Sequence, residues 1–390
     1  MLNTYAESVA MKSVVNYLQK HTDLIMEDIS DLVLAESPST DKAAVDHCGD
    51  VLKAIFEKRL GIQAETEKQT HYGNQLKFVL GKEGPQTTIL GHFDTVWDKG
   101  VLSLREEEGK WYGPGILDMK AGMIQSIWAV RALKESGHLG GKRIVFLCNS
   151  DEELGSPSSK EWIIRNATGS EQVLVVEPAT THGDLKIARK GTGRYRIAIT
   201  GLAAHAGNNP GEGVSAIEEM AFQILKLREL NDPERGTTVN VGIVRGGSRV
   251  NVVADYAELE IDTRVENQSE AARIHDAITR LTPHLQGSQL RIEGGQTRPP
   301  MERSSASEQL FEKAQKIAEI LGITITAKSA GGGSDGNFTA ALGIPTLDGL
   351  GATGAGIHAL HEHILPENIV TRTALVAGMM LNDINSDDGA

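Results

Sequence analysis

The chain is poor in cysteine, in positive charge and in long apolar runs. Its 390 residues include only Cys48 and Cys148, which excludes a disulfide scaffold and a thiolate metal site and suits a reducing compartment. The formal net charge of −13 argues against nucleic acid as the main partner, because phosphate binding needs a basic face. No window has the apolar length that crosses a bilayer, and the N-terminus has no apolar run of signal-peptide length. We therefore expect a cytoplasmic protein without a nucleic-acid or membrane partner.

The apolar pattern outside the middle of the chain predicts an α/β domain. Hydrophobic residues make up 40% of the chain and charged residues 23%, which is sufficient for a globular core. Short apolar runs alternate with helical patterns, which is typical of a largely parallel central sheet. The runs lie at 76–81, 86–92, 143–149 and 172–176. Two helices are predicted before them: one over 14–35, and one over 39–61 that runs from a Ser/Thr/Asp cap to a terminal glycine.

The middle of the chain has a different pattern. Between 190 and 295, half-exposed strands and two helices predict a small α+β unit. We therefore predict a discontinuous α/β domain, residues 1–189 and 296–390, interrupted by an inserted domain, residues 190–295.

Histidine and carboxylate residues follow the predicted strands of the α/β domain. The segment ILGHFDTVW places His92 and Asp94 just after an apolar strand. Being two residues apart, their side chains point the same way on an extended chain. A carboxylate beside a metal-binding histidine commonly orients the imidazole ring. The alternative interpretation of a lone His-x-Asp is an ordinary loop.

Acidic residues recur after the next predicted elements. Asp118 follows a Gly/Pro-rich turn and precedes a long helical pattern, where an aspartate could cap the helix, bind a metal, or do both. Asp151, Glu152 and Glu153 crowd at the end of one strand, and Glu177 ends another. Adjacent carboxylates repel one another unless cations or protons compensate. A divalent metal would do so and leave one carboxylate free as a base, whereas the alternative is a solvated acidic loop.

The positions of these residues predict one crevice. In an open α/β sheet, ligands gather at the carboxyl ends of the strands. Mixed nitrogen and oxygen ligands suit zinc, and also manganese or cobalt. Two metals about 3.5–4 Å apart that share one carboxylate would use this many acids.

The C-terminal segment GAGIHALHEHILP contains three histidines and a glutamate within six residues. Taken as the start of a His-Glu-x-x-His zinc helix, His361 and Glu362 fail, because the fifth residue is Leu365. The segment alone leaves open which histidine binds a metal.

Five short motifs, in this order and at this spacing, carry a resemblance to a known family. They are His92–Val96, Gly113–Gly115, Asp118–Gly122, Asp151–Ser156 and Glu177–Pro178. Over nearly its whole length the chain resembles the zinc metallopeptidases that include glutamate carboxypeptidase, acetylornithine deacetylase, succinyl-diaminopimelate desuccinylase and aminoacylase. It is most similar to glutamate carboxypeptidase, although that enzyme has Asp in place of Glu177. The resemblance implies a three-layer α/β catalytic domain and an inserted ferredoxin-like α+β domain that serves as lid and dimerisation domain.

The resemblance also implies two Zn2+ ions per subunit, with Co2+ or Mn2+ as substitutes. His92 and Glu177 would hold one ion, Glu153 and His358 the other, and Asp118 would bridge them.

Further roles in the catalytic domain follow from the same resemblance. Glu152 would be the general base that takes a proton from water at the metals and passes it to the leaving amine. Asp94 would orient the imidazole of His92. The family pattern of His, three residues and Glu selects His358 as the ligand, with His361 at a polar position and Glu362 at the acid. His363 is then expected at the surface or behind a ligand.

In the inserted domain, the resemblance implies substrate contacts and a homodimer. His205 would reach the partner subunit's active site and stabilise the oxyanion. Asn240 would contact the substrate, and Arg264 would bind a substrate carboxylate through two hydrogen bonds. The alternative for Arg264 is a surface ion pair. The Gly-rich loop SAGGGSDGNF would present Gly332 and Ser334 to the bound carboxylate, or would be a flexible connector.

Together these features predict a co-catalytic di-zinc hydrolase that cleaves an amide bond. Its substrate would be a small peptide or an N-acyl-amino acid, from which it releases a C-terminal amino acid. An N-acyl-amino-acid deacylase, a dipeptidase or an aminopeptidase on the same metal site is the alternative. A non-catalytic binding or scaffold protein that has kept the fold is a further alternative, although every expected ligand and the base are present.

Overall fold

The structure is a computed structural model that describes residues 2–381. These residues divide into two compact units. The first unit comprises the chain up to Ile187, Arg303–Ser329 and the chain from Ser334 onward, and the second comprises Ala188–Glu302 and Ala330–Gly333. No helix within residues 2–381 is long and apolar enough to cross a membrane.

The helices of the described residues are α1 Leu2–Lys20, α2 Thr22–Leu34, α3 Lys42–Leu60, α4 Ala121–Glu135, α5 Lys160–Ala167, α6 Ala216–Arg228, α7 Gln268–Thr279, α8 Ser305–Ile320, α9 Gly336–Ala341 and α10 Ile369–Met379. The helix predicted over 39–61 is confirmed as α3. It begins after Asp41, whose carboxylate accepts from the Ala44 N–H at 3.1 Å, and it ends at Gly61, whose φ of 70° is in the left-handed region.

The single helix predicted over 14–35 is wrong, because it breaks between α1 and α2. His21 leaves helical backbone angles, and its Nδ1 lies 2.7 Å from the Tyr17 carbonyl oxygen. The Thr22 hydroxyl donates to the carbonyls of Leu18 and Gln19. Side chains therefore satisfy the last carbonyls of α1, and a new helix starts at once.

The strands are β1 Glu65–Glu67, β2 Gln75–Leu80, β3 Gln86–His92, β4 Arg105–Glu107, β5 Lys110–Tyr112, β6 Arg143–Asn149, β7 Gln172–Val175, β8 Leu185–Arg189, β9 Gly191–Thr200, β10 Thr238–Gly246, β11 Tyr256–Val265, β12 Gln289–Arg298, β13 Ala327–Ala330, β14 Thr346–Leu347, β15 Gly354–Ala355 and β16 His363–Ile364. Six of them form the main sheet of the first unit, in the order β1-β2-β6-β3-β7-β14. The pairings of β6 with β3, β3 with β7 and β7 with β14 are parallel, and those of β1 and β2 are antiparallel. The predicted α/β fold with a mainly parallel central sheet is confirmed.

Successive side chains of the central strands point to opposite faces of the sheet, and both faces are covered. Ile89 and Phe146 belong to a core that includes Trp128 of α4. Their neighbours Leu90 and Leu147 pack in a second cluster with Trp162 of α5. Helices therefore lie on both sides of the sheet, which gives the first unit its three layers.

The second unit is built around an antiparallel sheet in the order β10-β11-β9-β12. The chain order is β9, α6, β10, β11, α7, β12, which is the ferredoxin-like arrangement. Burial alternates along β9, where Tyr195, Ile197 and Ile199 face a core that also contains Ile274 of α7. The α+β character expected of the inserted region is thus present in this unit.

One buried charge pair ties the N-terminal helices to the core of the first unit. Asp28 of α2 accepts two hydrogen bonds of 2.7 Å from the guanidinium of Arg59 in α3, and one of 2.8 Å from the indole N–H of Trp128. The Asp28 side chain is fully buried and that of Arg59 is 6% exposed. Removal of one partner therefore leaves the other charged and without solvent.

We expect Asp28→Ala to lower the free energy of unfolding by about 3–5 kcal/mol, because the Arg59 charge stays buried without its counter-charge. Urea denaturation followed by circular dichroism measures the change. The matched control is Asp50→Ala, which removes the exposed partner of Lys53 and should cost at most about 1 kcal/mol. Equal costs for the two variants would contradict the role of the buried pair.

Candidate metal centre

Three neighbouring parallel strands bring most of the predicted ligands to one edge of the main sheet. β3 lies between β6 and β7 and ends at His92. Glu153 follows the end of β6, and Glu177 follows the end of β7 by two residues. Parallel strands place their carboxyl ends at the same edge of a sheet, where ligands bind.

His358 reaches the same edge from a hairpin near the C-terminus. β15 pairs with β16, and β16 pairs with β5. His358 lies in the connection between β15 and β16 with a φ of 58°, a left-handed conformation that residues other than glycine rarely adopt. Such backbone strain is concentrated at functional sites.

Asp118 lies between the two histidines. Its Oδ1 is 3.3 Å from His92 Nε2, and its Oδ2 is 3.4 Å from His358 Nε2. His92 Nε2 also lies 3.7 Å from Glu177 Oε1, and His358 Nε2 lies 3.3 Å from Glu153 Oε2. The arrangement therefore consists of two pairs, His92 with Glu177 and His358 with Glu153, and the carboxylate of Asp118 lies next to the histidine of each pair.

Two buried atoms without hydrogen-bond partners indicate that these residues could bind a metal ion, whatever family the chain resembles. His92 Nε2 and Asp118 Oδ1 are buried and make no hydrogen bond to any described residue. Buried polar atoms are normally satisfied by a partner, and a cation between the donors would supply one. The ligand atoms of His92, Asp118 and Glu153 all lie within 4.8 Å of one another. Nitrogen and carboxylate donors together suit zinc and related divalent metals.

The electrostatics of the cluster favour protons in the absence of a cation. The carboxylates of Asp118 and Glu153 raise the pKa of His358 to about 10. Burial raises the pKa of Glu153 to about 8. Burial opposes the charged form of His92, but the Asp118 and Asp94 carboxylates outweigh it and raise the pKa of that imidazole. The pKa of Asp118 is lowered, because the two histidines outweigh the effect of its burial.

Asp94 contacts both the ligand strand and the acidic turn. The predicted contact with His92 is made mainly by the main chain, since His92 Nδ1 lies 3.1 Å from the Asp94 carbonyl oxygen and 3.4 Å from Oδ1 of its carboxylate. The carboxylate accepts from the N–H groups of Glu152 and Glu153, each at 3.2 Å, and from the Ser39 hydroxyl at 2.7 Å. Asp94 therefore holds the backbone of the turn Glu152–Leu154.

The helix-cap interpretation of Asp118 is wrong, and Asp151 lies apart from the cluster. Asp118 is not the cap of α4, because its φ of −113° and ψ of 90° are not helical and Lys120 occupies the cap position. Asp151 does not join Glu153 in the cluster. Its carboxylate accepts instead from the Ser158 N–H and hydroxyl at 2.7 Å and from the Ser159 hydroxyl at 2.5 Å.

The histidine-rich segment separates into different environments. His361 is exposed. His363 is buried at 8% exposure, so it is not a surface residue, and its ring lies 5.1 Å from that of Tyr112. Glu362 is buried and accepts hydrogen bonds from the turn that carries Asp118. Its position in the His-x-x-x-Glu pattern was the only sequence signal for this contact.

Arg372 is a second buried residue near the centre that sequence reasoning missed. Its guanidinium donates to the carbonyls of Gly351, Gly183 and Gly349 at 2.9, 2.9 and 2.6 Å. The N–H of Gly351 in turn donates to the Glu177 carbonyl oxygen at 2.9 Å. The arginine therefore stabilises the loop beside the predicted ligand Glu177. The sequence around Arg372 has an ordinary helical pattern and gives no signal for this contact.

Four predicted substrate-contacting residues lie in the second unit. His205 is exposed, and its Nδ1 accepts from the N–H groups of Gly207 and Asn208 at 3.1 and 3.0 Å. Asn240 is exposed on β10. Arg264 is paired with Asp262 through two hydrogen bonds of 2.8 and 3.1 Å. The carbonyl oxygen of Gly332 accepts from Arg189 at 3.1 Å.

The side chain of Ser334 does not have the predicted orientation. It is fully buried in the first unit, its hydroxyl donates to Asp348 Oδ2 at 2.5 Å, and it accepts from the Gly336 N–H at 3.1 Å. A hydroxyl with both roles occupied inside the protein is not presented to a substrate carboxylate. The serine shapes the start of α9 instead.

Residues 88–382 match Peptidase family M20/M25/M40. The chain belongs to this family. It is 28% identical over 373 residues to carboxypeptidase G2 of Pseudomonas sp. (strain RS-16), an alignment that covers 93% of this chain and 89% of that protein. It is 26% identical over 324 residues to the succinyl-diaminopimelate desuccinylase of Gluconacetobacter diazotrophicus, covering 77% of this chain and 82% of that protein. The crystal structure of aminopeptidase PepT from Bacillus cereus is similar with a TM-score of 0.75 at 24% identity, covering 92% of this chain and 98% of that chain.

Membership of the M20/M25/M40 family makes the chain a hydrolase of the metallopeptidase class. The predicted family and enzyme class are therefore confirmed. The similarity to PepT confirms the fold, and the donor cluster at the edge of the main sheet is the candidate metal site of this family member.

Metal uptake by this M20/M25/M40 chain should release protons. His358, with a pKa of about 10, is protonated at pH 7 in the metal-free protein and must lose its proton to bind a metal. We expect zinc binding at pH 7 to release about one proton or more per chain, and zinc affinity to fall as the pH is lowered. Calorimetric titration in two buffers of different ionisation enthalpy measures the release, and zinc binding without it would contradict the protonated cluster.

We expect His358→Ala to lose metal and His361→Ala to keep it. Of these two histidines, His358 is the one that faces Asp118 and Glu153. Both side chains are on the same connection, so the second variant controls for disturbance of the hairpin. Metal content after dialysis, measured by inductively coupled plasma mass spectrometry, distinguishes them. The reverse pattern would identify His361 as the ligand.

Proposed function

We propose that this M20/M25/M40 chain is a dinuclear zinc hydrolase that cleaves an amide bond and releases a C-terminal amino acid. The observation that carries the proposal is the position of Asp118, whose two carboxylate oxygens face two different histidines at 3.3 and 3.4 Å. Each histidine also has a second carboxylate, from Glu177 or Glu153. One shared carboxylate between two such pairs is a donor set for two cations.

His92 and Glu177 would hold one zinc ion, Glu153 and His358 would hold the other, and Asp118 would bridge them. Cobalt or manganese would substitute, because nitrogen and oxygen donors accept these metals as well. When bound, the metals would lower the pKa of water and polarise the scissile carbonyl.

Glu152 is the proposed general base. It is the first residue of the turn Glu152–Leu154, directly before the ligand Glu153. Asp94 holds the N–H groups of both residues, so the spacing of base and ligand is set by one fixed stretch of main chain. Glu152 would take a proton from the attacking water and deliver it to the leaving amine.

The proposed substrate contacts come from the second unit. Because His205 Nδ1 accepts two hydrogen bonds, the proton of the neutral ring is on Nε2. A donor of this kind suits an oxyanion in the partner subunit's active site. Asn240, Gly332 and Arg264 would bind the rest of the substrate, with Arg264 on its carboxylate.

The proposed homodimer would form through the second unit. β10 is an edge strand of the four-stranded sheet. Ile243 and Val244 on this strand are 43% and 50% exposed, and an edge strand presents unpaired N–H and C=O groups. A second copy that covers this edge would bury both the apolar side chains and the unpaired backbone.

An N-acyl-amino-acid deacylase, a dipeptidase or an aminopeptidase on the same metal site is the second candidate. Among these activities the Arg264–Asp262 pair favours the aminopeptidase, because a guanidinium with its own carboxylate attracts an anionic substrate terminus less strongly, whereas N-acyl-amino acids and dipeptides keep a free carboxylate. The similarity to a succinyl-diaminopimelate desuccinylase also supports this candidate.

We expect Glu152→Gln to bind metal like the wild type yet to lower kcat at least about a hundredfold, the usual contribution of a general base. Metal content and steady-state kinetics on the zinc-loaded enzyme measure the two quantities. Glu161→Gln is the control, because Glu161 is an exposed acid of α5 in the same unit. Unchanged kcat in Glu152→Gln would refute the proposed mechanism.

The substrate class can be decided by a panel with a readout of released amino acid. Folyl- and acyl-glutamates, dipeptides and acetylated amino acids are compared before and after removal of metal by a chelator. Preference for the first group supports the carboxypeptidase-type enzyme, and preference for either other group supports the second candidate. Purified protein that holds no zinc on metal analysis and hydrolyses no member of the panel before any chelator is added would favour a binding or scaffold role.

A further inference from the structure

Glu362 is a buried carboxylate whose contacts all lie in the turn before α4 and the segment that follows β3. It is 1% exposed. Its Oε1 accepts from the N–H groups of Leu117 and Asp118 at 2.9 and 3.1 Å. Its Oε2 accepts from the Gly115 N–H at 3.2 Å and from the indole N–H of Trp97 at 2.6 Å. A carboxylate has about four acceptor positions, so these donors saturate it.

The turn that donates to Glu362 is irregular, so the hydrogen bonds of a regular helix or strand do not stabilise it. Gly115 has a φ of 68°, and the backbone angles of Asp118 and Met119 are not helical. The main-chain N–H groups of this turn would be buried without acceptors if the Glu362 carboxylate were removed, which is costly for each group. The conformation of Asp118 therefore depends on a residue 244 positions away in the chain.

Glu362 is also attached to the other proposed metal ligand. It is four residues after His358 and directly precedes β16, which pairs with β5. One side chain thus links the connection that carries His358 to the turn that carries Asp118. The distance between the two ligands is set through this link.

We infer that Glu362 is a positioning residue that fixes Asp118 relative to His358 and thereby sets the affinity of the centre for its metals. The inference rests on the proposed dinuclear function. Glu362 itself is not a metal ligand in this scheme, because all of its acceptor positions are occupied by N–H donors.

The chemistry of the contact explains why a glutamate is required. A glutamine has nearly the same shape but carries one acceptor oxygen and one NH2 donor. In one orientation, its NH2 group would face the N–H groups of Leu117 and Asp118. In the other, it would face those of Gly115 and Trp97. Glu362→Gln is therefore close to isosteric, yet it replaces two attractive contacts with repulsive ones.

The test compares metal affinity in Glu362→Gln with that in a matched control. Glu219→Gln changes another fully buried glutamate that also accepts main-chain N–H groups, those of His284 and Leu285 in the second unit. Both variants lose stability, which thermal melting of the metal-free proteins measures. Zinc affinity is measured by competition with a chromophoric chelator, and the visible spectrum of the cobalt-loaded protein reports the ligand geometry.

We expect zinc to bind Glu362→Gln about 10–100-fold more weakly than wild type, the usual effect of losing a residue that orients a ligand, with an altered cobalt spectrum. Glu219→Gln should keep the wild-type affinity and spectrum. Wild-type zinc affinity and an unchanged cobalt spectrum in Glu362→Gln would overturn the inference and leave the proposed function intact. Wild-type protein that takes up no metal would overturn both.

Trp97→Phe provides a second variant in case Glu362→Gln does not fold. It removes one of the four donors and leaves the main-chain contacts. A weaker zinc affinity in folded Trp97→Phe supports the inference, and an affinity equal to wild type in this variant overturns it.

Discussion

The centre depends on the compensation of buried negative charge at one edge of the main sheet. Asp118, Glu153 and Glu177 converge there with Asp94 behind them, and carboxylates this close repel one another. Burial raises the pKa of Glu153 to about 8, and the Asp118 and Glu153 carboxylates raise the pKa of His358 to about 10 against the opposing effect of its burial. Protons therefore compensate the charge when no metal is bound. In the proposed function, two divalent cations replace those protons. In this proposal, the repulsion between the carboxylates makes the cluster a strong donor set for cations.

Buried charged residues outside the proposed ligand set hold the backbone of the proposed ligands. Asp94 accepts from the N–H groups of the turn that carries Glu153, and Glu362 does the same for the turn that carries Asp118. Arg372 donates to carbonyls of the loop beside Glu177. In each case a hydrogen-bonded charge fixes an irregular segment that no helix or strand could fix. The proposed ligands can then lie on turns, where their side chains converge, without loss of position.

The sequence was sufficient to predict the main sheet and the convergence of the proposed ligands at one edge of it. Apolar runs ended in His92 or preceded Glu153 and Glu177, and the parallel arrangement then places these residues at one edge. It was insufficient where long-range contacts override local preference. Asp118 has the local features of a helix cap, but a contact with Glu362 holds it outside the helix. Ser334 lies in a glycine-rich loop that suggests exposure, yet Asp348 draws its hydroxyl inward.

The unequal distribution of the proposed ligands along the chain has a consequence for synthesis. Four of them lie between His92 and Glu177, whereas His358 follows the whole second unit. β14 and α10, which complete the sheet and the helical layer of the first unit, are also late. The second unit, nearly all from Ala188–Glu302, has its strands available while the first still lacks these parts. A growing chain on the ribosome therefore carries an incomplete donor set until His358, which follows the whole second unit, has emerged, and the proposed metal loading needs both parts of the first unit.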